Sequence, residues 1–453
     1  MFQTIKNAWK IVDLRKKILF TLMIIVVFRV GAAIPVPFLN REALAELMAP
    51  IMGGDAATTA GNSLLGFLNM MSGGAFENAT LFAMSITPYI NASIIMQLLT
   101  VAIKPLERLA KEGEEGRKKV TSITRFVTVI LGLLQGTAFY FYLRNTNATP
   151  SGEALPGYIV EAPYRDGFAG VFVAIVIVLT FTAGTALMMW LGEQINQYGI
   201  GNGISILLFA GIVARLPVTI TRLISYFSLA QARPIYYFFV PLVVVLFLAL
   251  IWVIVFMNDS ERRIPIQYAK RVVGRKMYGG QSTHMPIKVS MSGVMPIIFA
   301  SSILSIPSTI QLFAPAKEGS VWAGILNALS PTGWLYSVLY FLFIIGFAYF
   351  YTAVQYNPIE MANNLRKNNG AIPGIRPGKP TQDYIAKILS KITLIGALFL
   401  ALIALMPNIV AAITQMNISL GGTSIIILVG VALETVRQIE SQMLMRHYKG
   451  FLE

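Results

Sequence analysis

The sequence predicts an all-α polytopic membrane protein with ten transmembrane helices, and three observations carry that prediction. Of the 453 residues, 55% are hydrophobic and 13% charged, with a mean hydropathy of +0.66, a balance that soluble domains do not show. Apolar stretches of spanning length recur near residues 18–38, 79–100, 122–143, 168–190, 200–220, 236–257, 289–311, 334–356, 384–406 and 419–436, against the roughly 17 to 25 residues a helix needs to cross a bilayer. With the N-terminus inside, the inside connections hold 25 of the 36 Lys and Arg and the outside ones 6, while Arg29, Arg125, Arg215, Lys387 and Lys391 lie within spans. That excess places both termini in the cytoplasm. The net charge of +15 is therefore a topology signal first and a sign of a nucleic-acid partner only second.

The first 17 residues, MFQTIKNAWKIVDLRKK, combine Trp9 and Ile11 with five basic residues, which suits a helix lying on the membrane surface. No small-residue cleavage site follows the first apolar run, so no removable signal peptide is expected. The first span ends in Arg29, Gly31 and Ile34-Pro35-Val36-Pro37, and Arg29 reaches either a buried partner or the outer interface. A polar connection, 39–61, leads to Asn62–Met71, an apolar run closed by Gly73-Gly74. At about ten residues this is half a spanning length, so it enters without crossing.

The second span carries Pro88, Asn91, Ser93 and Gln97, which lipid penalises unless protein or a watery cavity faces them. The charge mixture from Lys104 to Arg125 reads alone as a solvated face. Gly199, Gly201 and Gly203 alternate in YGIGNG, but no strand precedes them, so a dinucleotide site is a weak reading. A tight inside turn that lets the fifth helix start close to a neighbour is favoured.

Residues 258–288 alternate Ile264, Ile266 and Tyr268 with basic residues before Gly279-Gly280, as a hairpin projecting into the cytoplasm does; a disordered basic loop is the alternative. In the third inside loop, 357–383, Pro373-Gly374 and Pro377-Gly378 bracket Arg376 and hold it at a projecting tip. From there it can meet carboxylates or phosphates of a docking partner. Spans 1 to 5 start inside and spans 6 to 10 start outside, so any repeat of five plus five is inverted; parity alone carries this.

Catalysis finds little support. There is no cysteine and there are two histidines, His284 and His447, neither in a span, and no paired carboxylates or P-loop occur. No metal site or cofactor is expected. Spans 2 to 9 are nearly free of the charges an ion-coupled carrier uses, although an inverted-repeat solute transporter remains the rival class and a membrane-embedded enzyme a distant third. What the spans hold instead is isoleucine: Ile86 and Ile90, and Ile200 and Ile204, are spaced i,i+4. Ordinary lipid-facing or core positions explain any one of them taken alone.

Five stretches together carry a resemblance over essentially the whole chain: SITPYINASIIMQLL, YGIGNGISILLFAGIVARLP, YGGQSTHMPIKVSMSGVMPIIFASSIL, IPGIRPGKPT and GGTSIIILVGVALET. The chain resembles the SecY family, the central subunits of bacterial protein-conducting channels.

The resemblance implies a clamshell of two inverted five-helix halves, 18–220 and 236–436, hinged at the outer connection 221–235, with 1–17 a surface helix and 437–453 a cytoplasmic tail. It makes the half-helix at about 62–74 a plug, through Leu64, Leu65, Phe67, Leu68, Met70 and Met71. It assigns a pore ring to Ile86, Ile90, Ile200, Ile204, Ile298 and Ile427, with Ile206 or Leu208 as competitors in the fifth span. It puts Asn91, Gln97, Ser301 and Ser302 near a lateral gate between spans 2 and 7. Loops 258–288 and 357–383, through Arg271, Arg275, Lys276, Arg366, Lys367 and Arg376, become docking arms for SecA or the ribosome. The implied partners also include SecE and SecG subunits, signal sequences, nascent polypeptides and the lipid of a cell membrane.

Overall fold

The computed structural model describes residues 2–53, 69, 72–146, 157–165, 167–231, 234–268, 271–273, 276–278, 282–307, 310, 324–325, 328–329, 333–414 and 422–449. A short helix α1 (Phe2–Lys10) is followed by α2 (Val12–Gly31), α3 (Arg41–Gly53), α4 (Thr87–Ala102), α5 (Lys104–Lys111), α6 (Glu114–Asn145), α7 (Gly167–Tyr198) and α8 (Gly203–Leu229). The second half comprises α9 (Tyr236–Asp259), strands β1 (Glu261–Tyr268), β2 (Arg271–Val273), β3 (Lys276–Tyr278) and β4 (Ser282–Lys288), and then α10 (Met295–Leu304), α11 (Trp334–Gln355), α12 (Pro358–Lys367), β5 (Gly370–Ala371), α13 (Lys379–Thr414) and α14 (Gly422–Lys449).

Helical segments stand at all ten expected spans: α2, α4, α6 to α11, α13 and α14. Six described helices are long and apolar enough to cross a membrane on their own, and α4 runs into α5 through a bend of 102°. Of the remaining spans, α2 and α14 are long but carry more charge, whereas α4 and α10 are short, at 16 and 10 residues. α4 starts at Thr87 rather than near Ala79, because residues 72–86 form turns and a bridge in which Ala79 and Ser85 take φ of 42° and 53°, outside the helical region. Pro88 and Pro296 therefore sit in the first turns of α4 and α10, where the missing N–H costs no helical bond.

Three apolar clusters organise the membrane part. One lies in the first half, where Phe76, Phe139 and Phe181 stack between the 72–85 segment, α6 and α7. A second lies among α9, α10, α11, α13 and α14. The third joins the two, drawing on α2, α4, α7, α8, α10 and α14. A small cluster around Ala230, Tyr236 and Val243 packs the α8–α9 connection.

Two local devices fix the α7–α8 turn. Asn202 caps α8 by accepting from the N–H of Ile204 and Ser205, a favourable N-cap. Gly203 lies so close to α7 that a Cβ there would stand 1.9 Å from the Gly192 carbonyl oxygen. The close start of the fifth span is thus built on glycine.

The 258–288 segment is a hairpin: β1 pairs antiparallel with β4 from Glu261↔Lys288 to Gln267↔Ser282, β2 pairs with β3, and β5 adds to β1. Residues 269–270, 274–275 and 279–281 of this segment lie outside the described residues. Ile264, Ile266 and Ile287 turn inward against Leu365, Ile372 and Ile385, so hairpin, α12 and the start of α13 form one arm.

Candidate functional site

A cavity of about 640 Å³ opens between α4, α8, α9, α10, α11 and α14. Ser93 and Gln97 of α4 line it, together with Asn196, Asn202, Ser205 and Gln355. Two of the polar groups that lipid would penalise in the second span, Ser93 and Gln97, thus face a space that admits water. The wall is mixed, and most of its polar groups are neutral amides and hydroxyls, which bond a passing chain without holding one charge.

At one end of the cavity stands the apolar cluster shared by both halves. Ile86, Ile90, Ile298 and Ile427 are buried in it with Ile206 and Leu208, while Ile204 packs against it partly buried. Ile90, Ile204, Leu208 and Ile298 also line the cavity.

Ile200 is not in this group. It is buried in a different cluster with Ala8, Leu14 and Ile439. The reason is local: Ile200 lies in the turn before α8, its N–H bonded to Thr21 Oγ1 at 3.1 Å and Gly201 next to it at φ +86°. Spacing of i,i+4 gives a shared face only inside a helix. Ile86 keeps its place despite sitting at the N-cap, because the N–H of Ile90 bonds its carbonyl at 3.1 Å.

Beyond the cluster, before α4, two arginines hold the 72–77 turn. Arg29 donates to the carbonyls of Ala210 and Gly73, which settles its partner as buried backbone. Arg215, 7% exposed, donates to Glu77 Oε2 at 2.8 Å. Glu77 also receives Asn69 Nδ2 at 2.8 Å, and its own N–H donates to Asn69 Oδ1 at 3.1 Å. Of the expected plug residues, Leu64, Leu65, Phe67, Leu68, Met70 and Met71 lie outside the described residues.

α4 and α10 touch, as the expected gate pair. Gln97 lines the cavity and Ser302 is buried. Asn91 and Ser301 are half-buried, and Ser301 Oγ donates to the Ile298 carbonyl at 2.9 Å. Asn91, Ser301 and Ser302 are not among the cavity-lining residues.

At the other end of the cavity, Lys288, Glu434 and Arg437 gather. Arg437 donates to the Asn258 carbonyl at 2.7 Å and to Asp259, tying α14 to the end of α9. Burial lowers the pKa of Lys288 and the Arg437 charge adds to this, against Glu434, Glu261 and Asp259. On the arm, Arg366 and Lys367 are exposed in the last turn of α12, and Arg376 is exposed between Gly374 and Gly378 at φ +81° and +113°. The two proline-glycine turns thus stand where the sequence puts them. Arg271 and Lys276 fall on β2 and β3, and Arg275 lies outside the described residues. Among the described residues no group of His, Asp and Glu is placed to hold a metal ion.

The composition of the second span signals a polar wall, and Asn196 and Gln355 add to it from other helices. Their signal is an amide at the inner end of an apolar run. Arg215 and Glu77 carry no signal in sequence, being 138 positions apart.

Comparison with known proteins matches this geometry. The SecY family pattern covers residues 80–436. Protein translocase subunit SecY of Streptomyces coelicolor is 44% identical over 456 residues, all of both chains, and its namesake in Halalkalibacterium halodurans is 43% identical over 462 residues, again all of both. Among solved structures, a SecY whose plug domain stabilises the closed state of its translocation channel superposes with a TM-score of 0.64 at 17% identity, covering 95% of this chain and 92% of that one. Canine Sec61 in a ribosome-channel complex gives 0.56 at 16% identity over 95% and 92%. The fold is the ten-helix clamshell of these channels, and the chain belongs to the SecY family.

Proposed function

We propose that the chain is a protein-conducting channel subunit: it lets unfolded secretory polypeptides cross the membrane and releases transmembrane segments sideways into lipid between α4 and α10. The observation that carries this is the convergence of Ile86 and Ile90, Ile298 and Ile427, from helices of both halves, into one buried apolar cluster beside a cavity lined by both polar and apolar side chains. Such a constriction dewets, so it blocks ions, yet methyl-bearing side chains conform around any sequence. A charged segment loses about 2.5 to 3.5 kcal/mol per charge at mid-bilayer and stays in the pore, whereas an apolar one gains by leaving. Sorting then needs only a gate.

In this reading Ile206 and Leu208 supply the fifth-span share of the ring that the sequence assigned to Ile200 and Ile204, Asn91, Gln97, Ser301 and Ser302 border the gate, and 62–74 acts as plug. Residues 18–220 and 236–436 are the moving halves and 221–235 the hinge. The excess of inside Lys and Arg puts both termini, the 258–288 hairpin and the 357–383 loop in the cytoplasm. There the basic arm meets SecA or the ribosome, and SecE and SecG flank the channel. The subunit itself catalyses nothing: directional energy comes from the partner.

The test places a photo-crosslinking residue at Ile90, Ile298, Ile206 and Ile200 in turn and stalls a secretory chain in the assembled translocase. Crosslinks at the first three and weak labelling at Ile200 are expected. A stalled chain that labels none of the three overturns the proposal.

A further inference from the structure

The Glu77–Arg215 pair lies in neither the ring nor the gate, yet it borders the ring. Ala75, Ala210 and Ile212, which flank it in sequence, belong to the same buried cluster as Ile86, Ile90, Ile298 and Ile427. The turn 72–77 therefore joins, through Ala75, the same apolar cluster as the isoleucines. Three features press it there. The Arg215 guanidinium reaches Glu77 Oε2 at 2.8 Å, and the carboxylate is shared with Asn69 at 2.8 Å. Arg29 bridges Gly73 and Ala210, joining the turn to α8 through two backbone carbonyls. Gly73 and Gly74 take φ of +67° and +90°, and a Cβ on Gly73 would stand 2.9 Å from Gly211 Cα, one on Gly74 2.9 Å from Arg215 Nη1. The turn and α8 meet backbone to backbone, with the ion pair beside the contact.

We infer that Glu77 and Arg215 are a positioning pair that holds the turn before α4 against α8 and so sets how strong a signal sequence must be to open the channel. This rests on the channel reading above. The physics favours a threshold. The Arg215 guanidinium is buried and costly without a partner, whereas the Glu77 side chain, 33% exposed, still meets water, so it is chiefly the arginine that holds the pair together. The turn is therefore either clamped or released, with few intermediate positions. A signal helix entering between α4 and α10 displaces α4, and α4 is joined to the clamped turn by residues 78–86. Weakening the pair lowers the work the signal must do, while a sequence that already opens the channel well gains little.

The test uses the full chain in its assembled translocase with Glu77→Arg, Arg215→Glu and the double reversal. Three quantities are read: abundance in the membrane, ion leak of proteoliposomes, and export of one reporter with an intact signal sequence and one with a defective signal. Each single reversal is expected to raise export of the defective-signal reporter about tenfold and to raise ion leak, with export of the intact reporter within twofold of wild type. The double reversal is expected to return both quantities to within twofold of wild type, which a purely structural lesion would not do.

Wild-type leak and stringency in a single reversal at normal abundance overturn the inference, and so does a double reversal that restores neither. Where a reversal fails to accumulate, Glu77→Gln keeps the shape and one acceptor but removes the charge. A normal amount of that variant with unchanged stringency overturns the inference equally. If the unaltered translocase fails to export even the intact reporter, it is the channel reading that falls.

Discussion

Ile90, Ile298 and Ile427 meet from three helices whose backbone bonds are satisfied within each helix, whereas Ile264, Ile266 and Ile287 meet across an antiparallel ladder seven pairs long. Both groups are small apolar cores with buried side chains. The first is drawn from segments more than 300 residues apart in sequence, from position 86 to 427, and only side-chain packing holds it. The second is drawn largely from neighbouring strands, with α12 and α13 closing over them. The waist can therefore part without breaking a main-chain bond, while the arm cannot deform without unzipping strands. On the proposed reading, a seam that opens and an arm that docks a partner call for these opposite constructions.

The largest effect expected of a single substitution falls on the arm. Ile385 is fully buried among Ile264, Leu365 and Ile372, and Ile385→Ala leaves a cavity costing about 2 to 5 kcal/mol. Thermal unfolding of the purified translocase in detergent and membrane abundance measure this. Molecules that do fold should retain a wild-type ion seal, since the waist shares no residue with the arm core. A leaky but thermally normal variant would erase the distinction between the two cores.

Next comes the waist. Ile90→Asn or Ile427→Asn buries an amide without a partner, at about 1 to 3 kcal/mol against the closed state, which is roughly tenfold or more in the ratio of open to closed channel at about 1.4 kcal/mol per factor of ten. Greater ion leak and export of reporters with poor signal sequences are the expected readouts. Ile200→Asn sharpens the contrast. Its neighbours are Ala8, Leu14 and Ile439, so it should lower stability yet leave stringency alone. Equal relaxation by Ile200→Asn and Ile90→Asn would return Ile200 to the ring.

Much of this contrast was legible before any coordinates. Span lengths, the inside excess of Lys and Arg, and the alternation of Ile264, Ile266 and Tyr268 are periodic signals, and periodicity survives in a single sequence. The proline-glycine turns around Arg376 and the glycine approach at Gly203 were also readable, because each rests on local backbone chemistry. What escaped depends on long-range placement. Nothing in composition says that α4 waits until Thr87, behind a segment in which Ala79 and Ser85 take positive φ. Ile200 and Ile204 look like one helical face until Gly201 breaks the helix between them. The ring as a group came from family resemblance, and spacing alone could not have assembled it.

The smallest structural effect belongs to Arg376, and it is the cleanest way to separate the arm's shape from its chemistry. The tip is held by its backbone: Gly374 and Gly378 take positive φ, and Thr381 Oγ1 donates to the Arg376 carbonyl at 2.8 Å. The exposed guanidinium contributes little to that hold, so Arg376→Glu should change stability by no more than about 0.5 kcal/mol. Partner-driven export should nonetheless fall sharply at normal membrane abundance, because a carboxylate repels the acidic groups that a guanidinium binds with two parallel hydrogen bonds. Arg376→Lys keeps the charge without the fork and should fall between the two. Ile385→Ala lowers stability and export together, whereas Arg376→Glu should lower export alone. Normal export by Arg376→Glu at normal abundance would mean that the arm docks through some other face, and the basic end of α12, with Arg366 and Lys367 exposed, would be the next surface to reverse.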